Sequence, residues 1–245
     1  MKSLNWSVYR VKKISFREGD VVEQMQSNID VKDEKFLERK LKCFGIEFSI
    51  LQDLSGELGG SVWDSSLILI HYFENTDDFP LNFFRGKRIL ELGAGTGIIS
   101  IVLSKLSPSK IIVTDMEKML PLINENLKKN NCSDNIVEAK QLLWGNKEQL
   151  NAMKPPFDIL IVCDCVANCY AEDYDNLINT MFDACDRQTL ALLAYELRDK
   201  RDAIFFQKLR VKFDVVKLPN SKLHHKYQSE DIGIFQLKKK ESIIN

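Results

Sequence analysis

The most informative segment of this chain is Glu91-Leu92-Gly93-Ala94-Gly95-Thr96-Gly97. It joins the short run Arg88–Leu92 to an apolar segment that begins at Ile98 with helical spacing. Glycine at three alternate positions permits backbone dihedrals barred to other residues and lets the backbone approach a ligand closely. A strand, a glycine turn and a helix in this order predict one unit of a parallel α/β sheet, with a ligand site at the carboxyl end of the strand.

Strand and helix patterns then alternate toward the C-terminus, which is typical of a doubly wound sheet. The run Phe157–Cys163 is nearly all apolar, as expected for a central parallel strand covered on both faces. The last two strands are expected to pair antiparallel. We therefore predict an α/β fold, a Rossmann-like seven-stranded sheet with helices on both faces. The predicted strands are 88–92, 110–115, 136–142, 157–163, 189–195, 213–218 and 233–238, and the helices are 98–106, 119–129, 174–185 and 203–209.

Two elements precede this sheet. Residues 36–51, with Gly45 at the turn, predict a β-hairpin. Residues 63–73 have helical spacing, with Asp64 and Ser65 as candidate N-caps. Residues 1–34 are polar with weak periodicity and predict no definite structure. We therefore divide the chain into an N-terminal extension, 1–34, and one domain, 35–245, that includes the hairpin.

Composition excludes several classes of protein. The chain has 245 residues, 44% of them hydrophobic, and a net charge of -1, so we expect a globular monomer with no nucleic-acid partner. No apolar run approaches the roughly 20 residues that span a bilayer, so we expect no membrane partner. Cys163, Cys165 and Cys169 lack a C-x-x-C pair, which favours free thiols over a metal site. Free thiols indicate a reducing compartment, the cytoplasm, with the nucleus as a second location.

The glycine spacing separates two classes of cofactor. The dinucleotide fingerprint G-x-G-x-x-G/A needs a small third residue, and counting from Gly93 that position is Ile98. Gly97 comes one position earlier and completes E-x-G-x-G-x-G, the pattern of class I methyltransferases, which bind S-adenosylmethionine. Asp115, at the end of the second sheet strand, suits a carboxylate that binds both ribose hydroxyls, and Glu91 can hold the cationic methionine amino group. A plain tight turn would explain one or two glycines but not these acids.

The chain resembles the seven-strand protein-lysine methyltransferases, which are class I enzymes. Five motifs occur in the family's order: Val62-Trp63-Asp64, Glu91 to Gly97, Thr114-Asp115, Leu143-Trp144-Gly145 and Cys163-Asp164-Cys165. Three C-terminal motifs are most similar to members that modify the valosin-containing AAA ATPase: Tyr195-Glu196-Leu197-Arg198, Phe213-Asp214 and Tyr227 to Ile232. The resemblance covers residues 36–240.

This resemblance implies an enzyme whose partner is a protein and whose acceptor is a lysine side chain. A valosin-containing ATPase is the substrate it favours, and an Hsp70 chaperone or an elongation factor remains an alternative. A module that binds the cofactor without catalysis is a further alternative. The family's cofactor contacts map onto the methionine-lining Gly93, Ala94 and Gly95, the ribose-binding Asp115, and onto Trp63, Trp144 beside the adenine, and Cys163. Composition alone would explain the two tryptophans as core residues.

Asp164 is the candidate nearest the chemistry. Methyl transfer from a sulfonium is an in-line displacement, so the enzyme mainly has to orient an amine about 3 Å from the methyl carbon. A lysine amine, with an unperturbed pKa of about 10.4, must first lose a proton. A carboxylate binds the ammonium but raises its pKa, so Asp164 is expected to position the amine. Capping of a following helix is the alternative role.

The sequence departs from the family in one place. The family pattern D-x-x-Y places an aromatic ring beside the substrate lysine, whereas this chain has Ala167 three residues after Asp164. The loop is two or three residues longer, and Tyr170 supplies the ring if that insertion bulges outward. Otherwise substrate choice or activity is affected. Asp164 and Tyr170 are the predicted catalytic residues.

Overall fold

A computed structural model describes residues 35–74, 77–80, 82–225 and 229–241, so the expectation for residues 1–34 lies outside the described residues. Two strands form a hairpin and seven form one sheet. The strands are β1 Phe36–Cys43, β2 Ile46–Asp53, β3 Arg88–Leu92, β4 Lys110–Asp115, β5 Val137–Gln141, β6 Ile159–Cys163, β7 Leu190–Glu196, β8 Phe213–Lys217 and β9 Ile232–Lys239. The α-helices are α1 Asp64–Glu74, α2 Ile98–Leu103, α3 Leu120–Lys129, α4 Lys147–Ala152, α5 Tyr174–Ala184 and α6 Ala203–Lys212.

The order of strands across the sheet is β5-β4-β3-β6-β7-β9-β8. Strands β3 to β7 are parallel, and β9 runs antiparallel between β7 and β8. The chain moves outward from β3 through β4 and β5, then returns to place β6 on the other side of β3. The topological switch point therefore lies between β3 and β6, where such sheets bind ligands. The predicted seven-strand sheet with its antiparallel end pair is confirmed.

The central strands bury side chains on both faces because successive residues of a strand point to opposite sides. In β6, Ile159, Ile161 and Cys163 join a core with α1, α2, α3 and the hairpin. The intervening Leu160 and Val162 join a second core with α4, α5 and α6. All five residues of β6 are buried, which explains the continuous apolar run in the sequence.

Asn126 of α3 and Asn130, the residue that follows this helix, fix the hairpin to the sheet domain. The side-chain amide of Asn130 bonds the backbone N–H and carbonyl of Ser49, and that of Asn126 bonds those of Leu51. The free edge of β2 is thereby paired, which satisfies backbone groups that an exposed edge leaves open. Asn126 also donates to the carbonyl of Thr96 in the glycine turn at 3.0 Å. Hairpin, helix and glycine turn are therefore one hydrogen-bonded unit.

Two helix predictions were wrong at their boundaries, and one helix was not predicted. Helix α1 begins at Asp64, so neither Asp64 nor Ser65 precedes the helix as a cap. Asp64 lies in the first turn, where its negative charge interacts favourably with the helix dipole. Helix α2 ends at Leu103 and continues as a 3₁₀ turn. Helix α4 was missed because it is short and polar and buries only Leu150; the side chain of Asn146 caps it.

Candidate active site

The glycine turn after β3 has a backbone that other residues rarely adopt. Gly93, Gly95 and Gly97 have φ of +62°, +58° and +77°, in the left-handed region. A Cβ on Gly93 would lie 2.5 Å from the Sγ of Cys165, and one on Gly95 would lie 2.7 Å from the carbonyl oxygen of Gly59. Glycine is therefore required both by conformation and by contact.

Asp115, at the carboxyl end of β4, is bound to this turn. Its Oδ2 accepts the backbone N–H of Gly95 at 2.8 Å, and its Oδ1 accepts that of Met116 at 2.7 Å. Burial nevertheless raises the pKa of Asp115 above its ordinary value, against the lowering effect of these bonds. Each carboxylate oxygen has two lone pairs, so both retain the capacity to accept from a ligand.

Glu91, in β3, is 2% exposed and faces helix α2. Its Oε2 accepts the backbone N–H of Ser100 at 3.0 Å and also a hydrogen bond from the Ser100 hydroxyl. The residue before α2 is Gly97, which has no side chain to cap the helix, so Glu91 supplies the cap from the strand. Burial raises the pKa of Glu91 to about 7, against the lowering by Ser100.

The two carboxylates suit a cationic ligand that carries hydroxyl groups. Within the described part of the chain, neither Glu91 nor Asp115 takes part in an ion pair. A buried carboxylate without a cation is costly, and a positive ligand offsets that cost. S-adenosylmethionine has a sulfonium, an ammonium and a ribose diol, so these residues fit it.

Trp144 and Tyr170 form an aromatic corner beside the turn. A Cβ on Gly93 would lie 3.3 Å from the Cζ2 of Trp144, and the Tyr170 ring packs edge-to-face on Trp144 with centroids 5.9 Å apart. Burial raises the pKa of the Tyr170 hydroxyl. Cys165 lies on the same side and donates from its thiol to the carbonyl of Leu92 at 3.3 Å. Cys165 was not among the predicted site residues, although its position next to Asp164 in the motif marks the same strand end.

Asp164 is held in an ion pair that the sequence analysis missed. Its side chain is 4% exposed and its φ is +54°. Arg198 donates to Oδ1 at 2.6 Å and to Oδ2 at 2.9 Å, and the hydroxyl of Ser65 donates to Oδ2 at 3.0 Å. The next helical turn begins at Asn168 with Ala167 as its N-cap, so the alternative role of Asp164 as a helix cap is wrong.

Trp63 and Cys163 border the same ion pair. The Arg198 guanidinium carbon lies 4.7 Å from the centroid of the Trp63 ring, and Trp63 donates from Nε1 to the carbonyl of Leu58 at 3.0 Å. The Sγ of Cys163 lies 3.5 Å from the hydroxyl of Ser66, and burial raises the thiol pKa well above its ordinary value. Residues predicted from the start of α1 and the end of β6 are thus brought together.

The described ranges contain no helix that is long and apolar enough to cross a membrane. Among those same residues, no cluster of histidine, cysteine or acidic side chains is arranged to hold a metal ion. All six cysteines are free thiols.

A model of the lysine methyltransferase family matches residues 44–212. This chain belongs to the lysine methyltransferase family. It is an S-adenosylmethionine-dependent protein-lysine N-methyltransferase, and its partner is a protein substrate. The glycine turn and the carboxylates of this lysine methyltransferase lie at the switch point of the sheet, where doubly wound folds bind ligands.

Its relatives include protein-lysine N-methyltransferase EFM6 of Saccharomyces cerevisiae, 31% identical over 207 residues that cover 74% of this chain and 81% of the relative. EEF1A lysine methyltransferase 3 of Xenopus tropicalis is 32% identical over 197 residues, 79% of this chain and 81% of the relative. Protein N-lysine methyltransferase METTL21A of Danio rerio is 29% identical over 186 residues, 74% and 78% of the two chains. These names support the lysine methyltransferase family without singling out the members that modify the valosin-containing ATPase.

Solved structures agree on the fold. The 16S rRNA N2 G1207 methyltransferase of T. thermophilus, in complex with AdoMet and guanosine, superposes with a TM-score of 0.60 at 15% identity, over 85% of this chain and 52% of that chain. The putative methyltransferase SMU.776, complexed with SAH, gives a TM-score of 0.57 at 13% identity, over 84% and 57%. At these identities the likeness concerns the Rossmann-like sheet alone, and the sequence prediction of that sheet is confirmed.

Proposed function

We propose that this lysine methyltransferase modifies a lysine side chain of EEF1A. The observation that carries the proposal is its similarity to EEF1A lysine methyltransferase 3, at 32% identity to the proteins of both Xenopus tropicalis and Mus musculus. In each comparison the match covers more than 70% of both chains. The substrate is thus an elongation factor, one of the alternatives that the sequence left open.

The valosin-containing ATPase is the second candidate. It is supported by the C-terminal motifs, of which Tyr195 and Glu196 close β7 and Phe213 opens β8. Leu197 and Arg198 continue that strand end toward the site, and Ile232 opens β9. Tyr227 and Gln228 of the third motif lie outside the described residues.

The cofactor contacts are part of the proposal. Asp115 accepts hydrogen bonds from the ribose hydroxyls, and Trp144 borders the adenine. Glu91, in the strand that precedes the glycine turn, stabilises the positive charge of the cofactor. The methionine portion is lined by Gly93, Ala94, Gly95 and Gly97, with Trp63 and Cys163 at its far end. When bound, the cofactor supplies an electrophilic methyl group on a sulfonium.

Asp164 positions the incoming lysine. Its carboxylate is held in a defined place by a constrained backbone, by the Ser65 hydroxyl and by the guanidinium of Arg198. A fixed charge orients the ammonium group and then the neutral amine. Holding the amine in this way lowers the entropic cost of reaching the transition state. Tyr170 adds an aromatic wall next to Trp144, in the role that the family gives to the position held here by Ala167.

A competition assay tests the substrate. The full chain is incubated with methyl-labelled cofactor and equal amounts of purified EEF1A, valosin-containing ATPase and Hsp70, and initial rates are measured singly and in mixture. EEF1A should have a kcat/KM at least about tenfold above the others, equivalent to about 1.4 kcal/mol of transition-state binding. Asp115→Asn should remove most of the labelling of all three substrate proteins, whereas the exposed control Asp134→Asn should label them as the wild type does.

Three outcomes would contradict the proposal. A preference for the valosin-containing ATPase or for Hsp70 would reassign the substrate. Cofactor binding without label in any protein would instead support a module that has lost catalysis. Label in EEF1A that survives replacement of the modified residue by arginine would show that the acceptor is not a single lysine.

A further inference from the structure

The guanidinium of Arg198 lies in a site built for a cation. On one side it pairs with Asp164 through both terminal nitrogens. On another it donates to the Oε2 of Glu196 at 2.6 Å, and its carbon lies 4.7 Å above the ring of Trp63. An aromatic face and two carboxylates are the groups by which proteins bind alkylammonium and guanidinium ions.

Trp63, Asp164 and Glu196 surround the guanidinium and are called the cage below. Arg198 alone does not balance the charges of this cage. Asp164 and Glu196 carry two negative charges when ionised, against the one positive charge of Arg198. Burial raises the pKa of Glu196, Arg198 lowers it, and the neighbouring carboxylates of Asp164 and Asp64 raise it further. When both carboxylates are ionised, negative charge exceeds positive charge around the guanidinium, and this excess favours the approach of a second cation.

We propose that Trp63, Asp164 and Glu196 form the binding site for the ammonium group of the substrate lysine, and that Arg198 occupies this site as a resident cation which the substrate displaces. The inference rests on the proposed function in one respect, that the acceptor is a lysine. It adds two groups, the Glu196 carboxylate and the Trp63 ring face, to the substrate site, and it makes Arg198 the gate to Asp164.

The walls of the cage are fixed. The backbone N–H of Asp164 bonds the carbonyl of Ala194 at 2.9 Å, and its left-handed φ leaves it little freedom. Glu196 is the last residue of β7, and the backbone N–H of the next residue, Leu197, bonds the carbonyl of Asp231 at 2.8 Å. The backbone of both acidic residues is therefore held in place whether or not Arg198 is present.

Arg198 itself can leave. Its side chain is 33% exposed, whereas that of Asp164 is 4% exposed, so the guanidinium covers the carboxylate from the solvent side. The residue lies between β7 and the 3₁₀ turn Lys200–Asp202, and that turn is anchored because buried Asp202 accepts hydrogen bonds from Tyr174 and Tyr195. A side-chain rotation of Arg198 therefore opens the cage without moving the backbone on either side.

The cage is tested by binding of n-butylammonium, which reproduces the end of a lysine side chain, to the full chain without cofactor or protein substrate. The three tryptophans are labelled with 5-fluorotryptophan, and the Trp63 signal is assigned by its loss in Trp63→Phe. Saturable shifts of that signal are measured by fluorine NMR, with sodium chloride at equal ionic strength as the blank.

Arg198→Ala should bind n-butylammonium at least about tenfold more tightly than the wild type, because the resident cation is gone. The affinity of Arg198→Lys for n-butylammonium should lie between those of the wild type and Arg198→Ala, since an ammonium cannot make the two-pronged contact with Asp164. The double variant Asp164→Asn with Arg198→Ala should show no saturable shift. Arg201→Ala, in the same loop and paired with Asp199, is the matched control and should behave as the wild type.

Equal affinity of the wild type and Arg198→Ala would overturn the inference, as would binding that persists in the double variant. Dispersed fluorine signals report that each variant is folded, and if Arg198→Ala is not, an Arg198→Lys variant that binds no better than the wild type overturns it too. Because neither cofactor nor EEF1A is present, failure here leaves the substrate assignment standing. A failed EEF1A assay likewise leaves this result unaffected.

Discussion

The Oδ2 atom of Asp115 lies 2.8 Å from the backbone nitrogen of Gly95. One hydrogen bond thus joins the end of β4 to the glycine turn that follows β3, at the carboxyl edge of two adjacent parallel strands. The carboxylate that we propose to bind the ribose also holds the turn in its left-handed conformation. Binding and local shape therefore depend on the same residue.

Asp115→Asn should weaken binding of S-adenosylmethionine by about 10- to 100-fold, since hydrogen bonds to a charged group contribute about 1.5–3 kcal/mol. The amide keeps an oxygen for the Gly95 N–H, so the turn should survive. Calorimetric titration measures the dissociation constant. Unchanged affinity, with Asp134→Asn as the exposed control, would remove Asp115 from the site.

Gly95→Ala should destabilise the fold and weaken cofactor binding, because the new Cβ meets the Gly59 carbonyl oxygen at 2.7 Å. Gly86 is the matched control: its φ is +73°, and a Cβ there meets nothing within 4 Å. Gly86→Ala should lower the free energy of unfolding by about 1–2 kcal/mol, because a residue with a Cβ is strained in the left-handed conformation. It should bind the cofactor normally. Urea unfolding and calorimetry separate the two effects. Equal losses in both variants would show that contact at Gly95 is unimportant.

Asn126→Leu should loosen both the hairpin and the glycine turn. It leaves buried backbone groups of Leu51 and Thr96 without partners, at a cost of about 1–3 kcal/mol each. Asn130→Leu removes the bonds to Ser49 and one bond to the carbonyl of Asn126, but none to the glycine turn, so it should affect the hairpin and spare the cofactor site. Amide hydrogen exchange of β2 should rise in both variants. Cofactor affinity should fall about fivefold, or about 1 kcal/mol, in the first alone.

Glu91 should make folding stability depend on pH. Its folded pKa of about 7 exceeds the ordinary value of 4.5, so between these values the folded state holds a proton that the unfolded state releases. Stability from this group is present below about pH 4.5 and is lost as the pH rises through 7, at about 1.4 kcal/mol per pH unit.

The matched variant is Glu91→Gln, which cannot titrate. Urea unfolding of both proteins at pH 5 and pH 8 gives the difference in their unfolding free energies. The stability of Glu91→Gln relative to the wild type should be about 2 to 3 kcal/mol greater at pH 8 than at pH 5. A difference independent of pH would mean that buried Glu91 is ionised throughout the range.

The strand-turn-helix unit at Gly93 was predictable because its signals are local. Three glycines at fixed spacing, an apolar strand before them and a helical pattern from Ile98 each act within about twenty residues. The position of Asp115 at the end of the next strand was predictable for the same reason. The hairpin around Gly45 follows from turn chemistry and alternation.

The Asp164–Arg198 pair could not be predicted in this way. The two residues are 34 positions apart and meet only because β6 and β7 are neighbours, with Cys163 opposite Ala194. The sequence contains a usable signal, since Asp164 and Glu196 both stand where adjacent strands end. Pairing of a guanidinium with that carboxylate depends on side-chain directions, which periodicity does not report. The capping of α2 by Glu91 was missed for the same physical reason.

Methylation of a lysine of EEF1A is tested by mapping the position of label in EEF1A after incubation with methyl-labelled S-adenosylmethionine and this enzyme. We expect label on the side-chain nitrogen of a lysine with the wild type, and none with Gly95→Arg, whose side chain fills the glycine turn. Label on RNA, on a small molecule or on a residue other than lysine would overturn the proposed function.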